Sequence, residues 1–477
     1  MLFALVLVPL AFAALAAAFP WEKWRPWLLP VGAAVHLALA LALSAAGPAV
    51  SLGDWIRLDP LGRLVLVFLS LLFFLCSTYA PGYLRLWPGR NHRVFVANLF
   101  AFQAMMTLAV VAQHLGLMWV AIEACTLTSA PLVYFNRNPR SLEATWKYLM
   151  LGSVGIALAL LGSFFLAYAA LKSGQSTSLF FDDLVREAPR LSKPWLRAAF
   201  VVLFVGYGTK MGLAPMHSWK PDAYGEAPGL VGALLAGGLT SCAFVALLRF
   251  FQICAAAGEA ALARQAMVYV GLFSMALAAA FMARQRDFKR MLAYSSVEHM
   301  GLLVLGVGVG GAGVFGSLLH LLNNGLTKGV LFLSAANLHR AYDSKAVEEV
   351  SGALRRLPAT AALFLAGFFA ITGSPPFGPF FSELTILRAA FSSGQWGVGV
   401  LALGVLGVVF LGMGATVLAV VRGEPSPKAK STGFRDDVFT VGPIAAFLLL
   451  VLVLGVYLPT SVEAPLRAAA AFVGGAP

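Results

Sequence analysis

The chain has 477 residues, 60% of them hydrophobic and only 12% charged, and its mean hydropathy is +0.83. A soluble globular domain carries about 25% charged residues, so that class is excluded. The net charge of +13 is scattered over many short connections and not gathered on one domain, which argues against a nucleic-acid partner and for a membrane chain.

Apolar runs of about 20 residues, enough to cross about 30 Å of hydrocarbon, recur from end to end. Fourteen spans are expected. The first six are Leu2–Phe19, Trp27–Ala46, Leu61–Ala80, Val94–His114, Leu115–Phe135 and Thr145–Leu171. Ala198–Trp219, Ala227–Cys254, Gln265–Ala283 and Met291–Gly310 follow, then Val314–Leu338, Pro358–Ala390, Trp396–Val421 and Val438–Leu458. No basic residue precedes the first run, so it is read as a span and not as a cleaved signal peptide. When each of the 34 Lys and Arg residues is assigned to its connection, those near a span end included, 21 go to odd-numbered connections and 10 to even-numbered ones or the tail, and Arg63, Lys210 and Lys328 lie within spans. The odd loops hold clusters such as Arg85, Arg90 and Arg93, or Arg284, Arg286, Lys289 and Arg290. Positive-inside bias therefore puts the odd loops in the cytoplasm and both termini on the other face of a cell inner membrane. The basic loop Lys172–Arg197 is the exception; it also holds Asp182, Asp183 and Glu187, and long loops follow the rule poorly.

The first three spans carry little inside them beyond His36 and Arg63; packing explains the first and snorkelling the second. The spans from four to eight and from nine to thirteen each run as three continuous spans, one broken by proline, then one continuous. The breaks fall at Pro215 and at Pro375-Pro376. An odd number of spans per unit inverts consecutive copies, so two inverted five-helix repeats are expected in an all-α integral membrane fold. The implied segments are 1–93, 94–254, 264–421 and a C-terminal helix with a short tail, 438–477. Gly306, Gly308 and Gly311 spell G-x-G-x-x-G, but inside a span and without a preceding strand they suit close helix packing. Cys76, Cys125, Cys242 and Cys254 lie in apolar runs without C-x-x-C spacing. Buried thiols are expected, with no metal, no cofactor and no redox centre in this chain.

Ionisable side chains inside spans demand an explanation. Glu123 lies in LMWVAIEACTL and Lys210 just before the first break, Lys328 lies in HLLNNGLTKGVLF, and Glu383 follows the second break. The stretch Gly206–Pro228 adds His217, Lys220, Asp222 and Glu226 after Pro215. Each charge at a helix centre costs about 2.5–3.5 kcal/mol on insertion scales. Four of them approach on the order of 10 kcal/mol, the whole stability of an ordinary domain. Pairing offers one account, with Glu123 neutralising Lys210 and Glu383 neutralising Lys328. A relay offers the other, in which acid, amine and imidazole groups bridged by water pass protons. His320, Asn324 and Lys328 recur every four residues and share a helix face about 12 Å long. His299 and His114 are weaker candidates that suit capping or packing, and Glu143 with Lys147 reads as a helix-end pair.

At these residues the chain resembles the antiporter-like membrane subunits of respiratory complex I, of multisubunit cation/proton antiporters and of membrane-bound hydrogenases. KMGLAPMHSWKPDAYGEAP is similar to that family's broken seventh helix, RDFKRMLAYSSVEHMG to the segment entering its tenth, HLLNNGLTKGVLFL to its His-x3-His-x3-Lys run and GSPPFGPFFSEL to its broken twelfth helix. Within the family the hydrogenase-4 component F type looks nearest. The resemblance implies that Glu123 and Lys210 switch a proton half-channel, that Lys328 is the central lysine of the second half, and that Glu383 serves the exit side. Two positions depart from the pattern. The eighth-helix lysine falls on Ser241, and the second histidine of the His-His-Lys run is Asn324. The link between halves is then expected to run through water, Ser241 or Thr240.

The leading expectation is a proton-translocating subunit of a complex-I-like or hydrogenase-type oxidoreductase, with other membrane subunits, protons and membrane lipid as partners. The alternatives are a subunit of a multisubunit sodium/proton antiporter, with sodium as co-substrate, and an ion-coupled membrane partner of a soluble enzyme in inorganic carbon uptake. A passive scaffold leaves the buried charges unexplained.

Overall fold

A computed structural model describes residues 2–46, 54–87, 89–175, 178–283, 285–426 and 432–474. Arg284, one of the loop charges counted above, and the last tail residues lie outside them. Among the described residues the fold is helical, with isolated β-bridges and no strand. The first helices are α1 (Ala4–Ala18), α2 (Leu28–Ala45), α3 (Pro60–Leu84), α4 (His92–Val111), α5 (Leu115–Val133) and α6 (Pro139–Lys172). Short α7 (Phe181–Glu187) precedes α8 (Lys193–Met211), α9 (Trp219–Glu226), α10 (Gly229–Leu234) and α11 (Thr240–Ala256). Then come α12 (Ala260–Met282), α13 (Phe288–Val309), α14 (Ala312–Tyr342), the single turn α15 (Ala353–Arg356), α16 (Pro358–Ile371) and α17 (Gly378–Ser392). The last are α18 (Trp396–Val421), α19 (Val438–Val456) and α20 (Thr460–Gly474).

Among the described residues, ten helices are long and apolar enough to cross a membrane by length and composition: α2 to α6, the continuous α10–α11 helix, α12, α13, α18 and α19. Their starts follow local chemistry. Asp59 caps α3 ahead of Pro60, Asn138 forms a capping box ahead of Pro139 in α6, and Asp287 caps α13. His114 caps α5, its Nδ1 accepting the Gly116 N–H at 3.1 Å while its ring stacks on Trp55. Partial burial holds that imidazole below its usual range. Arg57, hydrogen-bonded to Asp182 at 2.5 Å, pins α7 to the connection before α3 and holds the carboxyl below the usual carboxylate range.

The seventh and twelfth apolar runs are each two helices. α8 ends at Gly212 (φ +79°), and Gly373 (φ +66°) follows the Thr372 cap of α16; each glycine lies three residues before a proline, Pro215 or Pro376. The freed backbone groups find partners, as lipid-embedded chain requires. Ser274 of α12 accepts the Ala214 N–H at 3.0 Å, and the Trp219 indole donates to Thr209 O at 2.9 Å.

α10–α11, α13 and α14 are buried along nearly their whole length and form the core. α18 is apolar on every side and exposes Val400, Leu401 and Leu411, as a helix facing lipid should. All four cysteines are free and buried. His36 is buried too, within 3.1 Å of Leu5 O and of Ser70 Oγ. α20, where only a tail was expected, is a helix that packs Leu466, Ala469 and Val473 inward.

Candidate functional site

The polar groups of the core begin at α5, α6 and α8. Gly206 of α8 lies so close to α6 that a Cβ there would sit 2.6 Å from Ala159 N. One turn later on the same face, Lys210 Nζ passes Gly152, where a Cβ would lie only 3.0 Å from it. The ammonium reaches Glu123 Oε2 at 2.8 Å and Thr126 Oγ1 at 2.5 Å. Ser153 Oγ donates to the other Glu123 oxygen at 3.2 Å. Lys210 is 1% exposed and Glu123 19%, so the pair is sealed at its cationic end.

Beyond the break, α9 carries a second ammonium inward. Lys220 is fully buried, with its Nζ 3.1 Å from Ser296 Oγ and 5.7 Å from the centre of the Tyr224 ring. The neighbouring Ser295 accepts from Lys328 Nζ at 2.7 Å. Lys328 thus bonds a hydroxyl, and Glu383 is not within ion-pair distance of it. Lys328 remains within electrostatic reach of Lys220, Glu298, His299 and His320.

The second half ends in an imidazole cluster. His299 Nδ1 and His320 Nε2 lie 3.1 Å apart, and His320 Nδ1 lies 2.9 Å from Ser382 Oγ, next to Glu383. Ligand atoms of His299, His320 and Glu383 all fall within 4.8 Å, a spacing that would accept a metal ion, although the histidines already bond each other. Glu298 Oε2 approaches His299 Nε2 at 3.1 Å without hydrogen-bond geometry. Among the described residues, both Glu298 oxygens, Glu383 Oε1, Asn324 Oδ1 and the Asn323 amide find no protein hydrogen-bond partner. Glu383 reaches back over the second break, where a Cβ on Gly373 would sit 2.2 Å from Oε2.

The remaining expected residues lie apart from this row. His217 turns back on the break, its Nδ1 3.2 Å from Pro215 O. Thr240 and Ser241 donate to Ala236 O and Gly237 O, each at 2.6 Å, across a π-turn at Leu235–Leu239, and bond no lysine among the described residues. At one end of the helices, Lys147 joins Glu143 to Asp222, which also pairs with Arg290. A polar cavity of about 780 Å³ opens beside them, lined by Arg90, Glu226, Asp287, His339 and Lys345 among others.

Residues 112–411 match the family model described as NADH:quinone oxidoreductase/Mrp antiporter, TM. The chain belongs to this family. A hydrogenase-4 component F homolog from Methylacidiphilum infernorum is 36% identical over 377 residues, 78% of this chain and 76% of that protein. An NADH-quinone oxidoreductase subunit N from Desulforudis audaxviator is 30% identical over 408 residues, 84% and 80% of the two chains. A chain of the Mrp complex from Dietzia sp. shares the fold at a TM-score of 0.87, with 20% identity, over 99% of this chain and 97% of that one. This NADH:quinone oxidoreductase/Mrp antiporter family member is therefore an antiporter-like membrane subunit.

Two core groups of this family member were given no role from sequence. Glu298 lies inside the tenth apolar run beside His299, and the in-span rule that singled out Glu123 applies to it equally. Lys220 follows Trp219, where hydropathy ends and a loop was expected, yet Pro221-Asp222 open a further helical turn that buries it.

Proposed function

We propose that this chain carries protons across the inner membrane along the buried row that starts at the Glu123–Lys210 pair. The row continues past Lys328 to His320, His299 and Glu383. The observation that carries the reading is the set of buried carboxylate, ammonium and imidazole groups of which only Glu123 and Lys210 form a direct carboxylate–lysine pair among them. Charges locked in permanent pairs would have no use for the orphaned oxygens of Glu298 and Glu383. Those oxygens are suited to bridging water, the medium of a relay.

In this reading fourteen spans cross the bilayer, α8/α9 and α16/α17 counting as broken single spans. Residues 94–254 and 264–421 are two inverted five-helix repeats, following a three-helix segment at 1–93 and followed by 438–477. The matched left-handed glycines, each three residues before its proline, support that pairing. The odd loops face the cytoplasm and both termini the other side. Proton movement is driven by neighbouring membrane subunits of a hydrogenase- or complex-I-like assembly, for which the named relatives are the support.

Lys210→Ala is expected to abolish proton pumping by the native complex in reconstituted vesicles. Full pumping by that variant refutes the relay, and flux that requires sodium moves the chain to cation/proton antiport.

A further inference from the structure

Lys220 has no place in the expected relay, yet it is as deeply buried as any lysine in the chain. No carboxylate lies within ion-pair distance of it among the described residues. Its ammonium is held by one hydroxyl, Ser296, and by the face of Tyr224. A lone interior lysine is costly in a membrane, and leucine or methionine would fill the same space.

Its surroundings are those of a junction. The stem lies across the first helix break, where a Cβ on Gly212 would meet Lys220 Cε at 2.2 Å and Nζ at 2.8 Å. That places the cation at the C-terminal end of α8, where unpaired carbonyls favour positive charge, two residues beyond Lys210. On its other side stands α13, whose consecutive hydroxyls Ser296 and Ser295 accept from Lys220 and Lys328 respectively. Two lysines from different halves of the chain thus meet on one turn of one helix. The second break repeats the arrangement, with Glu383 lying over Gly373 as Lys220 lies over Gly212. The hydroxyls expected to bridge the halves, Thr240 and Ser241, are engaged with their own helix.

We propose that Lys220 is the proton-carrying link between the Glu123–Lys210 pair and Lys328, acting through Ser296 and Ser295. The assignment rests on the proton-translocation reading above. In each transfer the Lys220 ammonium releases one proton, Ser296 accepts it while giving up its own towards Ser295, and a neutral Lys328 amine takes up one. Lys220 is then recharged from the Lys210 side. No net charge accumulates at the hydroxyls.

The test compares Lys220→Met, Lys220→Arg and Ser296→Ala in the native membrane complex, purified and reconstituted with a pH-sensitive dye inside the vesicles. Assembly is read on native gels. Lys220→Met is expected to assemble and to pump at least tenfold more slowly than wild type. Lys220→Arg keeps the charge but cannot release a proton, so it too is expected to pump at least tenfold more slowly. Full pumping by the arginine variant means that the charge is needed only for structure and overturns the proposal. Wild-type pumping by Lys220→Met also overturns it; if Lys210→Ala is still inactive, the proton-translocation reading survives that failure. Ser296→Ala leaves every charge in place and is expected to slow pumping with assembly unchanged. It keeps the question open to refutation even where a Lys220 variant fails to assemble: wild-type pumping by Ser296→Ala overturns the hydroxyl route.

Discussion

Glu123→Gln and Lys210→Met, alone and together, separate a structural ion pair from a working one. At 2.8 Å, unit charges attract by about 1.5 kcal/mol at the dielectric of water and by about 6 kcal/mol at an effective value near 20. With Lys210 sealed and Glu123 partly exposed, the coupling belongs between those limits, at about 2–4 kcal/mol. Each single variant strands one charge, whereas the double variant strands neither. Unfolding free energies of the four proteins in detergent are therefore expected to be non-additive by about 2–4 kcal/mol, the double variant being the more stable relative to the sum of the singles. Proton flux measured on the same four should not follow stability: it is expected to be lost in all three variants, the double included. Additivity within about 0.5 kcal/mol would mean that the pair does not exist in the membrane. A double variant that pumps like wild type would show the pair to be purely structural and would end the relay account.

Two further outcomes bear on the scaffold. Asp59 caps α3 through the Gly62 N–H, accepts from Gln113 and pairs with buried Arg249 at 2.8 Å, so Asp59→Ala is expected to cost about 3–5 kcal/mol. The check is the melting temperature and membrane abundance of the variant; a loss below about 1 kcal/mol would contradict the geometry. At the start of α5, the neutral His114 ring accepts the Gly116 N–H, and burial lowers its proton affinity in the folded chain. The cap is thus fully present above the unfolded value of about 6.5 and is lost as pH falls through the lower folded value. Hydrogen exchange at the Gly116 amide is expected to quicken at acid pH in the wild type, beyond the intrinsic trend, and not in His114→Asn, which caps without titrating.

Much of the helix order was legible because apolar runs of span length alternate with polar connections, and because Pro215 and Pro376 cannot continue a helix. Glu123 and Lys210 stood out for the same reason, as charges far from any polar connection. Lys220 did not stand out. It follows the last residue of an apolar run and precedes Pro221, Asp222 and Glu226, so its charge fell into the seventh connection. Only the fold of α9 back into the core shows where the ammonium goes. Arg249 and Asp59 likewise look unremarkable until the packing of α11 against α3 and α4 unites them. The π-turn that absorbs Thr240 and Ser241 leaves no mark in hydropathy.

Gly152 leaves the buried Lys210 ammonium an unusual kind of clearance. Lys210 passes α6 at a position where that helix has no side chain, and a single methyl there would stand 3.0 Å from its nitrogen and 3.3 Å from Thr126 Cγ2. The clearance beside the Lys210 ammonium is thus set by one missing carbon, a dimension independent of salt and voltage. In the proposed relay, bulk alone would throttle proton passage here, with every charge left untouched.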